Sequence, residues 1–205
     1  MEKLDAAFYL GEDVVNIAKA LIGKVLTTTF DGILTSGRIV ETEAYNGVGD
    51  KASHAFGGRN TERTKVMYLQ GGHAYVYLCY GIHHLFNVVT NVEGVPHAIL
   101  IRSVEALEGV DKMLERTAKK SFKNNLLKGP GVVSKGLGIY KHHTATSLLS
   151  GDIFIGDDGF AINNKNIKAT PRIGVDYAGE DALLPYRFID TRFKELSLKT
   201  EKTLN

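Results

Sequence analysis

KVLTTTFDGILTSGRIVETEAY, residues 24–45, holds two β-prone runs on either side of Asp31-Gly32. Asp-Gly favours a two-residue hairpin turn with positive φ at both positions, so the stretch predicts a hairpin whose long second strand ends near Tyr45. In a regular strand, residues two apart share a face, which puts Ile39, Glu41, Glu43 and Tyr45 on one side and Val40, Thr42 and Ala44 on the other. A solvated face is the ordinary reading of such a pattern. Periodicity does not choose between Glu41 and Glu43.

Upstream, Asp13 is placed to cap a helix with Val14, Ile17, Ala18, Leu21 and Ile22 at helical spacing, and Gly23 supplies its stop. Downstream, residues 46–65 are Gly-rich and polar without sustained period, and read as an ordered functional loop. GHAYVYLCYG (72–81) and IHHLFNVVTN (82–91) read as antiparallel strands with Gly81 near the tip between them, and HAILIR (97–102) as one more strand. Ser103 is expected to cap a helix that turns Leu107, Val110, Met113 and Leu114 inward, followed by a basic connector at 119–129. GPGVVSKGLGI (129–139) opens another short helix, IFIG (153–156) is a strand followed by a turn at Asp157-Asp158-Gly159, and the last third is short strands joined by loops. The expected fold is a single α/β mixed (α+β) domain over residues 1–205, with a curved, mainly antiparallel sheet, a protruding β-hairpin and flanking helices.

Composition narrows the function class. The 205 residues are 43% hydrophobic and 23% charged, as expected for one globular domain with a core. No apolar run has the length of a membrane span, and the N-terminus lacks the basic-then-apolar order of a secretory signal, so a soluble, cytoplasmic protein is expected. Cys79 is the sole cysteine, which excludes an intrachain disulfide and a Cys-based zinc site. A net charge of +2 permits a polyanion partner without requiring one.

Several side chains could carry chemistry. Tyr75 and Tyr77 share one strand face and Tyr80 lies on the other, beside Gly81. A large ring near a hairpin tip has little core to fill and suits wedging between bases. His54 lies in the polar loop, where a lone histidine is usually solvated. His83-His84 and His142-His143 are adjacent pairs that extended chain sends to opposite faces, so no metal is expected. Arg102 ends HAILIR on the face of Ala98 and Leu100, where its charge needs solvent or a carboxylate partner. The amides, Ser134 and Lys135 of GPGVVSKGLGI offer a phosphate cradle.

Taken in order, RIVETEAY, SHAFGGRNTER, YVYLCYG, HLFNV, LIR, GPGVVSKGLGI and PRIGVDYAGE resemble the alkyladenine DNA glycosylases, also called methylpurine or 3-methyladenine DNA glycosylases. The resemblance runs from about Phe8 to Phe188 and is to a compact bacterial type without the long N-terminal extension of mammalian members. It implies that Glu43 is the general base that activates water, with Arg102 and the backbone carbonyl of Ile173 holding that water. It implies further that Tyr45, Tyr77 and His54 sandwich an extruded base, that Asn87 crowds a guanine amino group, and that Tyr80 fills the gap in the duplex. In VDYAGE, Asp176 and Tyr177 stand where mammalian members carry Gly and His, which bears on substrate choice.

The implied activity is that of a monofunctional base-excision-repair glycosylase, which flips an alkylated or deaminated purine out of double-stranded DNA and hydrolyses its N-glycosidic bond without a cofactor. The expected state is a monomer, associated with the nucleoid while it searches DNA. Arg59, Arg63, Lys119, Lys120, Lys123, Lys128 and Lys135 are available for phosphates, although each is individually an ordinary surface charge. The rival reading is a non-catalytic module that binds damaged or distorted nucleic acid through the tyrosine hairpin, with no use for Glu43.

Overall fold

Asp31 and Gly32 both adopt positive φ, 53° and 72°, and close the hairpin of β2 (Val25–Phe30) and β3 (Ile33–Tyr45). In this computed structural model, which describes residues 1–197, that hairpin is the centre of a ten-stranded open sheet. The other strands are β1 (Glu2–Lys3), β4 (Ala74–Cys79), β5 (His83–Thr90), β6 (His97–Glu108), β7 (Leu126–Lys128), β8 (Ile153–Asp157), β9 (Ile167–Thr170) and β10 (Arg187–Asp190). The order is β1-β8-β2-β3-β6-β5-β4, with β7 beside β6, β10 beside the second half of β3, and β9 beside β10. Every one of these pairings is antiparallel.

The helices are α1 (Ala6–Tyr9), α2 (Val14–Ala20), α3 (Val110–Thr117), α4 (Pro130–Leu137) and α5 (Lys194–Ser197). Asp13 caps α2 as expected, its Oδ1 accepting from the Val15 and Asn16 amides. Ala18 of α2, Met113 of α3 and Val133 and Leu137 of α4 join Leu26, Ile39, Phe86, Val88, Ile99 and Ile101 of the sheet in the main core. The result is an α+β fold with helices flanking the sheet.

Two local expectations are corrected. Ser103 does not cap a helix: β6 runs on to Glu108, Gly109 occupies the cap position, and α3 starts at Val110. Pairing with β3 along residues 36–45 holds VEALE as strand, so tertiary hydrogen bonding overrides its helical propensity. The second correction concerns β3 itself. Between Ile39 and Thr42 the β3–β6 register shifts on both sides of the Glu41–Ser103 pair, so Val40 and then Arg102 are left without a partner. Ile39 consequently packs in the main core with Ala44, while Val40 joins a second cluster with Ile189 and Phe193. Ile39 and Glu41 therefore do not share a face. A bulge bends a strand and re-aims the side chains next to it, and here it sits beside the two glutamates.

The β4–β5 hairpin forms one end of the sheet. Residues 144–148 cover the outer edge of β4, with Thr144 Oγ1 bonded to both N–H and C=O of Val76 and Ala145 donating to Ala74. This blunts an otherwise open strand edge near its base. The hairpin tip is left bare: Leu78, Tyr80 and Ile82 are exposed.

Candidate active site

Residues 40–44 of VETEAY are buried and Tyr45 is half-buried, so the stretch is not a solvated face. Glu41 is 2% exposed and Glu43 0%. Burial of two carboxylates demands partners, and β6 and β10 supply them on either side of β3. Arg187 of β10 donates from Nε to Glu41 Oε1 at 2.6 Å, Ser103 of β6 from Oγ to Glu41 Oε2 at 2.5 Å, and Arg102 from Nε to Glu41 Oε1 at 3.2 Å. Burial by itself would raise the Glu41 pKa, but Arg102, Arg187 and the Ser103 hydroxyl outweigh it and hold the carboxyl below its ordinary value. Glu41 is thereby an anchor for two arginines.

Glu43 has a different environment. Its Oε1 accepts from the Ile173 amide at 2.8 Å, and its Oε2 accepts from the Tyr45 hydroxyl at 2.8 Å and from Arg102 Nη1 at 3.3 Å. Three donors meet a group with about four lone-pair sites, which leaves room for one more. Tyr45, Arg102 and Ile173 also line a cleft of about 440 Å³, so Glu43 lies one side chain behind the cleft wall. Burial, followed by the adjacent Glu43 charge, pushes the Tyr45 pKa well above its ordinary value, which keeps its hydroxyl a donor.

The same cleft is walled by aromatic rings and an amide: Tyr45, His54, Tyr75, Tyr77, Asn87 and Tyr177. His54 packs edge-on against Tyr77 with ring centroids 4.7 Å apart, and Tyr75 lies 5.4 Å from Tyr77. His54 Nε2 faces Arg63 Nη2 at 3.2 Å, and an arginine only donates, so Nε2 accepts and Nδ1–H donates to the Tyr75 hydroxyl at 2.9 Å. Burial and then the charges of Arg63 and Arg59 push the His54 pKa down to about 4, which makes it neutral at physiological pH. Asn87, on β5, donates both amide hydrogens to backbone carbonyls, of Tyr75 at 3.0 Å and Leu85 at 3.2 Å. That fixes its orientation.

Tyr80 borders the same cleft as a ring that is 92% exposed at φ 51°, next to Gly81 at φ 74°. Left-handed backbone is costly for a bulky residue, of the order of 1–3 kcal/mol, and no packing at Tyr80 offsets it. Of the expected phosphate contacts, Arg59 and Lys135 are exposed. Ser134 is corrected: it is fully enclosed, with no partner for its hydroxyl, because it faces inward on α4, and no phosphate reaches it there. Arg63 turns to the cleft rather than away from it.

Sequence reasoning assigned no role to Arg172 and Asp50, yet they hold the site together. Arg172 donates from Nη1 and Nη2 to the two carboxylate oxygens of Asp50 at 2.5 and 2.9 Å, and its guanidinium lies 4.9 Å from the Tyr45 ring centroid. Asp50 in turn accepts from the Asn46 and Ala52 amides, so this buried pair fastens the 46–65 loop beside Tyr45 and next to Ile173. Tyr177 adds a second tie, donating to the Ala52 carbonyl at 3.1 Å. Arg172 lies inside PRIGVDYAGE, but nothing local to that motif reveals a partner 122 residues away.

The family model for methylpurine-DNA glycosylase matches residues 7–193. The chain belongs to the methylpurine-DNA glycosylase family. A Chlamydia pneumoniae protein named "Putative 3-methyladenine DNA glycosylase" is 44% identical over 187 residues, 91% of this chain and 94% of its own length. Proteins of the same name from Bdellovibrio bacteriovorus and Bacillus thuringiensis are each 44% identical, over 187 and 190 residues, with 90% and 89% of this chain and 93% and 92% of their own lengths covered. Membership in the methylpurine-DNA glycosylase family covers all the cleft residues, since each lies between residues 7 and 193. Among the described residues no helix is long and apolar enough to cross a membrane, and no group of three or more His, Cys, Asp or Glu is arranged to hold a metal ion.

Proposed function

We propose that this protein is a monofunctional DNA glycosylase that everts a damaged purine from duplex DNA into the tyrosine cleft and hydrolyses its N-glycosidic bond. The observation that carries this reading is the environment of Glu43: a buried carboxylate, held by Ile173 N–H, Tyr45 and Arg102, with one acceptor site left for a water. Glu43 takes a proton from that water as its oxygen bonds to C1′ of the sugar. The bond from C1′ to the purine nitrogen breaks, and its electron pair leaves with the base. For a purine alkylated at N3 or N7 that pair neutralises the positive ring, so a single carboxylate suffices where ordinary glycoside hydrolysis uses two.

Arg102 orients Glu43, and the negative charge of Glu43 stabilises the oxocarbenium-like sugar. Tyr45, Tyr77 and His54 take the two faces and the edge of the base, and cation–π attraction of about 0.5–2 kcal/mol favours alkylated, electron-poor purines. Asn87, with its orientation fixed by two backbone carbonyls, limits which exocyclic groups fit. Tyr80 enters the gap left in the stack, which gives its strained, exposed conformation a use. None of the cleft-lining residues is a lysine, which favours hydrolysis over Schiff-base chemistry. Arg59 and Lys135 are the retained phosphate contacts, so lesion affinity should fall with salt at a slope of about 0.9 per neutralised phosphate.

The test is base release from oligonucleotide duplexes, each with one 3-methyladenine, 7-methylguanine, hypoxanthine or ethenoadenine. Release of at least one alkylated purine with the strand left intact supports the reading. Inactivity on all of them rejects it.

A further inference from the structure

Arg63 sits at the mouth of the cleft in an arrangement that a phosphate contact does not explain. Its guanidinium carbon lies 4.8 Å from the Tyr77 ring centroid, its Nη2 is 3.2 Å from His54 Nε2, and it forms part of the cleft wall. Among the described residues no salt bridge involves Arg63, and the neighbouring Glu62 pairs with Lys65 instead. An exposed arginine is free to extend into water. This one lays a planar cation on a cleft ring and uses the acceptor nitrogen of the cleft histidine.

We propose that Arg63 is a built-in occupant of the base pocket: in the DNA-free protein its guanidinium holds the Tyr77 face and the His54 Nε2 acceptor that an everted purine takes over. The inference rests on the glycosylase reading of the cleft. It deepens that reading by assigning a residue that sets the threshold for entry. Every entering base must displace the guanidinium, so the penalty is the same for all of them. Its effect on the outcome is not the same. An electron-poor, positively charged purine restores the cation–π contact that Arg63 gives up, and its everted state stays fully populated. A neutral, undamaged purine restores less, its everted state is a minor one, and its release falls in proportion to the penalty. The returning guanidinium also competes with the product base after cleavage.

Free 3-methyladenine has no phosphate, so it separates pocket occupancy from backbone contact. Its affinity for the wild type, Arg63→Ala and Arg63→Lys is measured by equilibrium dialysis. The Arg63→Ala protein should bind it about three- to tenfold more tightly than wild type, with Arg63→Lys between the two. In duplexes, the ratio of undamaged guanine release to 7-methylguanine release should rise in Arg63→Ala by a similar factor. Unchanged or weaker free-base binding in Arg63→Ala overturns the proposal, and so does a failure of that vacated pocket to bind the base at all. A plain phosphate contact would instead leave free-base binding alone and lower the salt slope of duplex binding by about 0.9. If the wild type releases no base from any lesion duplex, the glycosylase reading itself fails, whatever dialysis reads.

Discussion

Arg102 reaches Glu43 from a bulge: it has no register partner on β3, and its Nη1 lies 3.3 Å from Glu43 Oε2 while its Nε lies 3.2 Å from Glu41 Oε1. The two carboxylates thus share one guanidinium, and Glu41 is further held by Arg187. Burial would lower the Arg102 pKa, but the charges of Glu43 and Glu41 outweigh it and raise it, so the cation is permanent. Glu41 positions Arg102, and Arg102 serves Glu43.

Removing the charge of Glu41 should therefore cost both stability and function. Glu41→Gln leaves Arg187 and Arg102 buried without their shared counter-charge, at a cost of roughly 3–5 kcal/mol. Urea denaturation should show the loss as a lower midpoint with an unchanged slope. A midpoint equal to wild type would mean that the network is not electrostatically held.

Tyr80 presents the opposite case, a residue whose removal should leave the fold intact. At φ 51° and 92% exposure it is strained without packing, so Tyr80→Gly should keep or raise Tm. Lesion-duplex affinity should fall by about 1–3 kcal/mol, the stacking of one aromatic side chain with a base. A Tm that drops while duplex affinity stays constant contradicts the wedge role.

Acid should destabilise the protein in two steps. The folded pKa of His54 is about 4, below its ordinary 6.5, so between these values the unfolded chain binds a proton that the folded chain refuses, and stability falls as pH drops from 6.5 to about 4. His97 and His143 are lowered as well, chiefly by burial, and act in the same direction. Glu41 is held below its ordinary 4.5, so its contribution is present above that value and is lost as pH falls through its folded pKa. Tm measured from pH 8 to 4 at constant ionic strength should decline below about 6.5, and His54→Gln should flatten the upper part of that decline. An unaltered slope in His54→Gln would show that His54 does not titrate as its surroundings dictate.

How much was legible in the sequence follows from how local each signal is. Asp31-Gly32, Asp13 and Tyr80-Gly81 are local chemistry, and their turns, cap and tip stand where the residues put them. VEALE failed because its fate is decided by pairing with residues 36–39 of β3, which no window around Ser103 contains. The bulge that separates Ile39 from Glu41 was invisible for the same reason, and regular alternation misplaced Ile39. Ser134 looked like part of a phosphate cradle because Gly-Pro-Gly and a free helix start are local features, whereas the face it turns inward is set by packing against the sheet. Arg172 and Asp50 carry no pattern at all, since a buried ion pair between distant segments exists only once the chain is folded.

The central claim is that the carboxylate of Glu43 activates the attacking water, and Glu43→Gln tests it most directly because the amide keeps the shape while losing the base. Single-turnover release of 7-methylguanine from a duplex should fall by roughly 10²–10⁴-fold, with affinity for the same duplex retained. Release at a rate close to wild type would contradict the account.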